Sequence, residues 1–425
     1  MHEFYEYKLM EELFPINRSI TGDGFRESLQ IIKRELPQLR INEVPTGTAC
    51  FDWEIPKEWN IKEAYIIDPS GKKIVDFKDN NLHVMGYSKP VDTKLSLDTL
   101  SKHLHSLPDK PRAIPYVTSY YAENWGFCIP HELRESLVEG EYHVKIDSKL
   151  IHGSLTYGEL LLPGNSEKEI FFSSYLCHPS MANNELSGPV VLTSLAKKIM
   201  ESKNRNFSFR IIFVPETIGA IAYLSLNLQA MQKNIIAGFN LSCVGDDGPF
   251  SIVKSRTGDT LADQMLEHVL KWTQKNNKIY SFLERGSDER QYCSPNIDLP
   301  VVTFCRSKFG EFDEYHTSLD NLSYVKPSAL VQSTETLLLL VKCLENNFKL
   351  RASTFGEPQL GKRGLYPNIS KFGSADGLKN MLNLIAFADG RSLLEISEYI
   401  NIPVWKLLTD LHVLEKNNLI ECKLP

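Results

Sequence analysis

The strongest constraint on the fold of this sequence is a regular alternation of apolar runs and helical segments between residues 140 and 345. The apolar runs, which we interpret as strands, lie at 169–177, 209–216, 235–245 and 299–305. The segments with helical periodicity follow them at 187–202, 220–228, 260–274 and 328–346. Nearly continuous apolar strands are typical of parallel sheets that are covered on both faces. The sequence therefore predicts an α/β fold with a mostly parallel sheet flanked by helices.

A different pattern interrupts this alternation near the N-terminus. From about 40 to 130, short alternating runs separated by turn signals indicate a small β-rich unit. We predict that residues 1–40 and 140–350 form the α/β domain, and that residues 41–139 form an inserted β-rich domain. The tryptophans of the insert (Trp53, Trp59 and Trp125) are interpreted as core residues, and an aromatic platform for a ligand is the alternative.

The C-terminal segment has the pattern of a separate small module. Residues 351–373 are rich in Gly, Pro and polar residues and are predicted to be a linker. Residues 374–425 follow the order helix, helix, turn, helix and strand, which is typical of a winged helix-turn-helix. Between 375 and 425 there are five Lys/Arg and seven Asp/Glu residues. Because affinity for DNA comes largely from cations on phosphates, we expect an interaction or dimerisation module, with DNA binding as the alternative.

The composition argues against several classes of protein. A net charge of −6 and a pI near 6.0 argue against a general nucleic-acid or membrane-surface role. No run reaches the roughly 18 consecutive apolar residues of a membrane span, and the first residues lack the apolar core of a secretory signal. The eight cysteines are scattered without a CxxC pair, as expected for reduced core thiols. We therefore expect a cytoplasmic protein.

Polar side chains follow the ends of the predicted strands. His178 and Glu185 follow the first strand, Glu216 follows the second, and His316 follows the fourth. The segment 288–290, Asp-Glu-Arg, lies between the third and fourth strands. The carboxyl ends of parallel strands meet at one edge, so these side chains are expected to converge. Histidines and carboxylates from separate loops are typical of a metal site, in which Glu216 can act as the general base on water.

Each of these residues also has a structural interpretation. A lone histidine is often a hydrogen-bonded structural residue, and Glu216 can stabilise the start of the helix at 220–228. The Asp-Asp-Gly run at 246–248 is interpreted as a turn, with a ligand role as the alternative. Arg290 and Arg306 can hold a substrate carboxylate or sugar acid, and a solvated face is the alternative.

The 140–345 segment resembles the M28-type zinc aminopeptidases. The positions that match the family's first histidine, its general base and its last histidine are His178, Glu216 and His316. The positions that depart from its bridging aspartate, its second glutamate and its third-strand aspartate are Asn184, Thr217 and Ser242. The resemblance implies the zinc-aminopeptidase fold. The neutral side chains at the departing positions remove much of the negative charge that holds two zinc ions.

The whole chain resembles a bacterial family of aminopeptidase-like proteins with a DUF4910 region, an inserted DUF2172 domain and a C-terminal winged helix. The motifs that carry the resemblance are LFPINRSITGDGFRESL at 13–29, FDWEIPKEWNI at 51–61, IPYVTSYYAENWGFCIP at 114–130, CHPSMANNELSGP at 177–189, GSDERQYCSP at 286–295 and EYHTSLDNL at 314–322. The resemblance implies a zinc-dependent aminopeptidase-like hydrolase that acts on a peptide or related amide, linked to surface polysaccharide metabolism.

The site that this resemblance implies contains one zinc ion, with two ions as the alternative. Its predicted metal ligands are His178, Glu185 and His316, and Glu216 is the predicted base. Its predicted substrate-binding residues are Asp288, Glu289, Arg290 and Arg306. The expected partner is a small peptide, amide or sugar-derived substrate, and the chain is expected to form a homo-oligomer. Two other hypotheses stay open, a non-catalytic binding or regulatory protein on the same fold and a DNA-binding regulator with a sensor domain.

Overall fold

The computed structural model of the protein describes residues 4–365 and 375–424. Its α-helices are α1 Tyr5–Leu13, α2 Asp23–Glu35, α3 Leu97–Ser101, α4 His131–Glu135, α5 Ser187–Glu201, α6 Ile218–Asn234, α7 Leu261–Thr273, α8 Glu289–Tyr292, α9 Pro327–Glu345, α10 Ala375–Ala386, α11 Leu393–Ile400 and α12 Val404–Lys416. None of the described helices combines the length and the hydropathy that crossing a bilayer would need.

The strands fall into one large sheet and several small ones. They are β1 Arg40–Pro45, β2 Ala49–Cys50, β3 Trp53–Glu54, β4 Glu58–Ile67, β5 Lys73–Asp76, β6 Val91–Ser96, β7 Leu104–His105, β8 Phe127–Cys128, β9 Glu141–Ile151, β10 Ser154–Leu162, β11 Ser166–Tyr175, β12 Phe207–Val214, β13 Ile235–Leu241, β14 Ser251–Val253, β15 Lys278–Tyr280, β16 Val301–Cys305, β17 Lys349–Ala352, β18 Asp389–Ser392 and β19 Ile420–Lys423.

The large sheet has eight strands in the order β1-β10-β12-β11-β13-β16-β14-β15. The four central strands, β12, β11, β13 and β16, are parallel, and they are the four strands that the apolar runs predicted. Antiparallel pairs with β10 and β14 extend the sheet on either side. The predicted α/β fold with a mostly parallel sheet is therefore confirmed, with antiparallel additions at both edges.

The order of the central strands places a crevice at the ends of β11 and β13. From β11 the chain crosses to β12 through α5, and from β12 it returns past β11 to β13 through α6. These crossovers run in opposite directions, and because such connections are right-handed, α5 and α6 cover opposite faces of the sheet. Ligand sites in open α/β sheets lie where the strand order reverses, beyond the carboxyl ends of the strands.

The inserted β-rich unit is centred on a four-stranded antiparallel sheet in the order β5-β4-β9-β6. The structure corrects both predicted boundaries of this unit, 41 and 139. Strand β1 pairs with β10 in the large sheet, whereas β9 pairs with β4 and β6 in the inserted sheet. An edge strand of the large sheet is half exposed and alternates between apolar and polar residues just as an inserted strand does. The sequence pattern therefore could not separate the two.

The C-terminal module consists of α10, α11 and α12 with a three-stranded sheet in the order β18-β17-β19. Strand β17 includes residues 351 and 352, which were predicted to begin the linker, because its backbone pairs with β19 from Leu350↔Cys422 to Ala352↔Ile420. Part of the predicted linker, 366–374, lies outside the described residues. The helix-turn-helix is formed by α11 and α12.

The start of α12 is held against the α/β domain. The backbone N–H of Val404, the first residue of α12, donates a hydrogen bond to Nε2 of His268 on α7 at 3.1 Å. The other ring nitrogen of His268 pairs with the carboxylate of Glu398 on α11, and Nζ of Lys271 lies 2.8 Å from the same carboxylate. These contacts turn the first residue of α12 toward α7.

We expect the full-length protein to show no salt-dependent binding to duplex DNA. The second helix of a helix-turn-helix contacts base edges with its N-terminal residues, and here that end of α12 contacts α7. The acidic residues of the module also oppose phosphate binding. An electrophoretic mobility shift with random-sequence duplex at low and moderate salt tests this. A shift that weakens as salt increases would contradict the expectation.

Candidate active site

Three loops bring the predicted polar residues to one edge of the large sheet. His178 follows β11, Glu216 follows β12, and His316 lies in the loop after β16. The parallel register aligns Tyr175 at the end of β11 with Val214 at the end of β12, so the first two loops begin side by side. The structure therefore brings His178, Glu216 and His316 together at the carboxyl ends of the central strands.

His178 is buried, and its ring orientation is fixed from several sides. Its Nδ1 lies 2.6 Å from Oε2 of Glu185, and its ring centroid lies 4.7 Å from that of Tyr116. Its Nε2 points toward Glu216, with 3.7 Å between Nε2 and Oε2. Burial opposes a charge on the ring, but the carboxylates of Glu185 and Glu216 outweigh it and raise the pKa of His178. The nitrogen that remains available for further bonding is Nε2.

Glu185, the carboxylate among the predicted metal ligands, lies against His178. One carboxylate oxygen accepts the backbone N–H of Cys177, and the other faces the imidazole of His178. A π-helical turn, Ala182–Leu186, holds Glu185 in this fully buried position. Insertions of this kind are frequent at functional sites, where they turn a side chain away from its usual helical direction. Cys177, His178 and Glu185 each place one ligand-type atom within 4.8 Å of the others.

Arg18 lies beneath this pair and was not found from the sequence. Its guanidinium is buried and donates hydrogen bonds to the carbonyl oxygens of Leu13 and His178. Burial lowers its pKa to about 10, and the charge of Glu185 opposes that shift. The arginine thus supplies positive charge next to a buried carboxylate and also fixes the backbone of His178.

Glu216 is the most accessible carboxylate of the cluster, with 21% of its side chain exposed. Ser287 Oγ donates to its Oε1 at 3.4 Å. Burial raises the pKa of Glu216, and the positive charge of His178 opposes this rise. The structural alternative for Glu216, a capping bond to the next helix, is contradicted, because Thr217 occupies the cap position of α6 and no side chain caps it.

Four residues in the loops around the cluster have positive φ angles. Thr217, directly after Glu216, has φ 63° and ψ −77°, and His316 has φ 55°. Ser180 and Cys243 also have positive φ angles, of 49° and 52°. Residues with side chains rarely adopt such angles, and conformations of this kind cluster at active sites and ligand clamps.

Two of the predicted substrate residues lie beside Glu216. Oδ1 of Asp288 accepts the backbone N–H of Thr217 at 2.7 Å, and its Oδ2 is buried without a hydrogen-bond partner. Burial, reinforced by the charge of Glu216, raises the pKa of Asp288 well above its ordinary range. Arg290 is exposed and donates to Oγ1 of Thr217 at 2.7 Å. Both residues therefore contact the loop that carries Glu216.

The other two predicted substrate residues, Glu289 and Arg306, form hydrogen bonds within neighbouring loops. The buried carboxylate of Glu289 accepts the backbone N–H groups of Gly286 and Ser287 at 2.7 and 3.1 Å, and a hydroxyl bond from Thr303 at 2.7 Å. Arg306 donates to the carbonyl of Gly248 at 3.0 Å and lies over the ring of Phe250. Both side chains hold loops together, so the geometry gives no support to the substrate roles predicted for Glu289 and Arg306.

The inserted unit contacts the cluster through Tyr116. The backbone N–H of Tyr116 donates to the carbonyl of His316 at 2.9 Å, and the Tyr116 ring packs edge-on against His316. The His316 ring stacks on Tyr315 and lies 5.4 Å from the His178 ring, between centroids. Burial, together with the charge of His178, lowers the pKa of His316 to about 3. His316 is therefore neutral at neutral pH.

Neutral side chains occupy the positions where the resemblance places additional acidic ligands. The hydroxyl of Tyr175 donates to Oδ1 of Asn184 at 3.3 Å and bonds to the hydroxyl of Ser242. The Sγ of Cys243 lies 3.7 Å from the same oxygen of Asn184. The amide nitrogen of Asn184 is buried without a hydrogen-bond partner. This corner of the site is a network of uncharged groups.

Asp320 supports the same corner and was also not found from the sequence. Its carboxylate accepts the backbone N–H groups of Asn183 and Asn184 at 2.6 and 2.8 Å. The two asparagines of the π-helical turn are thus fixed by a residue four positions after His316. Asp246 accepts bonds from Asn183, Ser307 and Gly248, which agrees with its interpretation as a turn residue.

Comparison with known proteins agrees with this architecture. Residues 7–347 match the family described as a domain of unknown function, DUF4910, and residues 349–422 match a winged helix-turn-helix family. A relative from Clostridium acetobutylicum is named for polysaccharide biosynthesis and for an aminopeptidase-like domain. It is 47% identical over 361 residues, which are 85% of this chain and 82% of the relative.

Two solved structures illustrate the range of similarity. The crystal structure of a protein from Clostridium acetobutylicum described as a peptidase has a TM-score of 0.92 at 42% identity, covering 98% of this chain and 96% of that one. A zinc aminopeptidase from Bacillus subtilis has a TM-score of 0.58 at 14% identity, covering 80% of this chain and 95% of that one, a similarity of fold alone. The family match over residues 7–347 and the relative at 47% identity show that the chain belongs to the DUF4910 family, with an aminopeptidase-like fold and a C-terminal winged helix-turn-helix.

Proposed function

We propose that this protein hydrolyses an amide bond with the help of one zinc ion, and that its substrate is a peptide or related amide. The observation that supports this proposal is the convergence of His178, Glu216 and His316 at the carboxyl ends of the central strands. The fold that it shares with zinc aminopeptidases adds support. The name of the Clostridium relative connects the substrate to polysaccharide biosynthesis, so amides attached to sugars belong to the proposed class.

The donor set fits one zinc ion. His178 presents Nε2 to the cluster, and the His316 ring lies 5.4 Å from the His178 ring, between centroids. The two histidines would hold the ion, and Glu216, 3.7 Å from Nε2 of His178, stays free to act on a bound water. A second ion has weaker support, because the uncharged Asn184 and Ser242 stand where the resemblance places charged ligands. A zinc ion held by His178 and His316 would supply Lewis acidity to a water and to the scissile carbonyl.

Glu216 acts as the general base in this proposal. Its partial exposure lets water reach the carboxylate, and its raised pKa brings its basicity closer to neutral pH. Glu216 would take a proton from the attacking water and pass it to the leaving amine. Ser287 and the Thr217 backbone, held by Asp288, keep the carboxylate on the side of His178.

Glu185 and Arg18 act as positioning residues. The carboxylate on Nδ1 fixes the tautomer of His178 and leaves Nε2 for the ion. Carboxylates that contact a ligating histidine in this way typically change metal affinity or activity by about 10–100-fold when they are removed. Arg18 holds the backbone carbonyl of the same histidine.

We expect about one zinc ion per chain in the purified, tag-free protein, and loss of that ion in the double variant His178→Ala/His316→Ala. The reason is that both imidazoles contribute ligands and no second histidine pair stands beside them at the strand ends of the described residues. Plasma mass spectrometry measures the stoichiometry, and the variant His412→Ala, which changes an exposed histidine of α12, is the control. About two ions per chain would show that the uncharged side chains of Asn184 and Ser242 do not prevent the binding of a second zinc ion.

A binding protein without turnover is the second candidate. The uncharged network of Tyr175, Asn184 and Ser242 favours it, because the resemblance places charged metal ligands at two of these positions. Absence of metal even after reconstitution with zinc would make this the better hypothesis. The retained trio of His178, Glu216 and His316 favours the hydrolase.

A further inference from the structure

A cleft lined by aromatic residues opens in the inserted unit, separate from the strand-end cluster. We call it the aromatic cleft, and its volume is about 400 Å³. The residues that line it are Thr46, Glu54, Ile55, Pro56, Lys57, Tyr87, Tyr120, Tyr121, Ala122, Glu123, Leu150 and His152. Pockets for small organic ligands commonly have volumes of about 300–1,000 Å³. The cleft therefore has the size of a site for a small molecule or one end of a larger one.

Tyr121 lines the cleft, and Trp53, which lies beside the cleft, packs against Tyr121. Both large rings are exposed to solvent. Trp53 is 41% exposed and Tyr121 is 53% exposed, and their ring centroids are 6.0 Å apart in an edge-to-face arrangement. The hydroxyl of Tyr121 is anchored on the carbonyl of Glu54 at 3.1 Å. Trp59 and Trp125, by contrast, are buried and belong to the core. Of the three tryptophans in the insert, only Trp53 fits the alternative of an aromatic platform.

Polar groups surround these rings. Lys57 and Glu123 form an ion pair at the cleft, with 3.7 Å between Nζ and Oε1, and His152 and Thr46 also line it. The lining contains two carboxylates, from Glu54 and Glu123, against the single ammonium of Lys57. An uncharged ligand that offers several hydroxyl groups is therefore a better match than an anionic one.

Packed side chains connect the aromatic cleft to the strand-end cluster. Tyr120 lines the cleft, and its hydroxyl lies 2.7 Å from that of Tyr116. The Tyr116 ring packs on both His178 and His316. The short hairpin that carries Trp53 also packs through β2 against α6, the helix that begins directly after Glu216 and Thr217. The cleft therefore shares packed side chains and a supporting helix with the loops that carry His178, Glu216 and His316.

We propose that the aromatic cleft binds a neutral pyranose ring of the substrate, with Trp53 and Tyr121 as its stacking surface. A pyranose combines an apolar face of C–H bonds with hydroxyls around its edge, so it matches aromatic rings bordered by polar side chains. A stable protein partner would bury roughly 800 Å² on each side, an area that extends over many more residues than the twelve that line this cleft. The proposal rests on the proposed amide hydrolysis only in assigning the sugar to the substrate, because the binding itself is independent of turnover.

The test measures sugar binding directly on the full-length protein. The probes are the methyl glycosides of N-acetylglucosamine, glucose, galactose and mannose, with sorbitol as a hydroxyl-rich control that has no ring. Saturation-transfer NMR and calorimetry give contacts and Kd values. We expect at least one glycoside to bind at millimolar concentration, and Trp53→Ala and Tyr121→Ala each to weaken it by at least fivefold. Trp53→Phe should retain most of the affinity, and Tyr399→Ala, which changes a more exposed aromatic residue of α11, should retain all of it.

The outcomes separate this proposal from the proposed hydrolysis. If glycoside binding depends on Trp53 but the protein does not turn over amides, the sugar site is supported and the proposed hydrolysis is contradicted. Turnover of peptide amides without binding of any glycoside, or binding that Trp53→Ala and Tyr121→Ala leave unchanged, would overturn the sugar site. Equal binding of sorbitol would also overturn it, because stacking on a ring face would then contribute nothing.

Discussion

Replacing Glu216 by glutamine is expected to lower amide turnover by a factor of about 10²–10⁴, the usual contribution of a general base. The amide is nearly isosteric with the carboxylate and can still accept the hydrogen bond from Ser287 Oγ. It cannot take a proton from water. Turnover of an aminoacyl anilide or a related chromogenic amide, measured on zinc-loaded protein, gives the ratio of kcat/KM.

A matched variant separates the role of Glu216 from a general effect of charge. Glu284→Gln changes an exposed glutamate that lies outside the cluster and should keep full turnover. Zinc content measured on the same preparations distinguishes two roles for Glu216. Retained zinc with lost turnover supports the base, whereas joint loss of zinc and turnover would make Glu216 chiefly a ligand. Full turnover in Glu216→Gln would show that the proposed mechanism is wrong.

The sequence predicted the central strands and the trio that follows them for the same physical reason. Strands that are buried on both faces must be apolar along their whole length, so their ends are visible in the sequence. A polar residue directly after such a strand, such as His178 or Glu216, is then placed at a known edge of the sheet. His316 follows the fourth strand at a longer distance, and the late histidine of the aminopeptidase resemblance indicated it.

The residues that hold His178 and His316 in place could not be predicted in this way. Glu185 is adjacent to the position of the missing bridging aspartate, but a π-helical turn directs its carboxylate to His178, and no period in the sequence reveals that turn. Tyr116 reaches the site from the inserted unit, and Arg18 from the segment before α2, through contacts between residues distant in the sequence. Glu289 and Arg306 have the residue types of a substrate site, yet backbone groups occupy both.

Arg18 and Glu185 are both buried, but the guanidinium does not form a direct ion pair with the carboxylate. The guanidinium donates to the carbonyls of Leu13 and His178, and its Nε has no hydrogen-bond partner. The charge of Glu185 still favours the protonated form of Arg18, since it opposes the lowering of its pKa by burial. The positive charge of Arg18 and the negative charge of Glu185 therefore stabilise each other through space, although Arg18 bonds to the backbone.

Replacing Arg18 by methionine is expected to lower the apparent free energy of unfolding by about 1–3 kcal/mol, because the buried carbonyl of His178 loses its donor, whereas that of Leu13 keeps the backbone N–H of Ile16. The matched control is Arg134→Met, since Arg134 also donates to two carbonyls, of Leu104 and Ser101, but is only half-buried. Urea unfolding at neutral pH measures both variants, and the loss for Arg18→Met should be the larger one.

The electrostatic part of this effect is measured by combining Arg18→Met with Glu185→Gln. Once Glu185 is uncharged, removal of the guanidinium no longer leaves a buried carboxylate without a nearby positive charge. The double variant should therefore lose less stability than the two single variants added together, by about 0.5–3 kcal/mol, the range found for residues that interact. Strict additivity would mean that Arg18 acts through the carbonyls of Leu13 and His178 alone, and that its proximity to Glu185 has no energetic consequence.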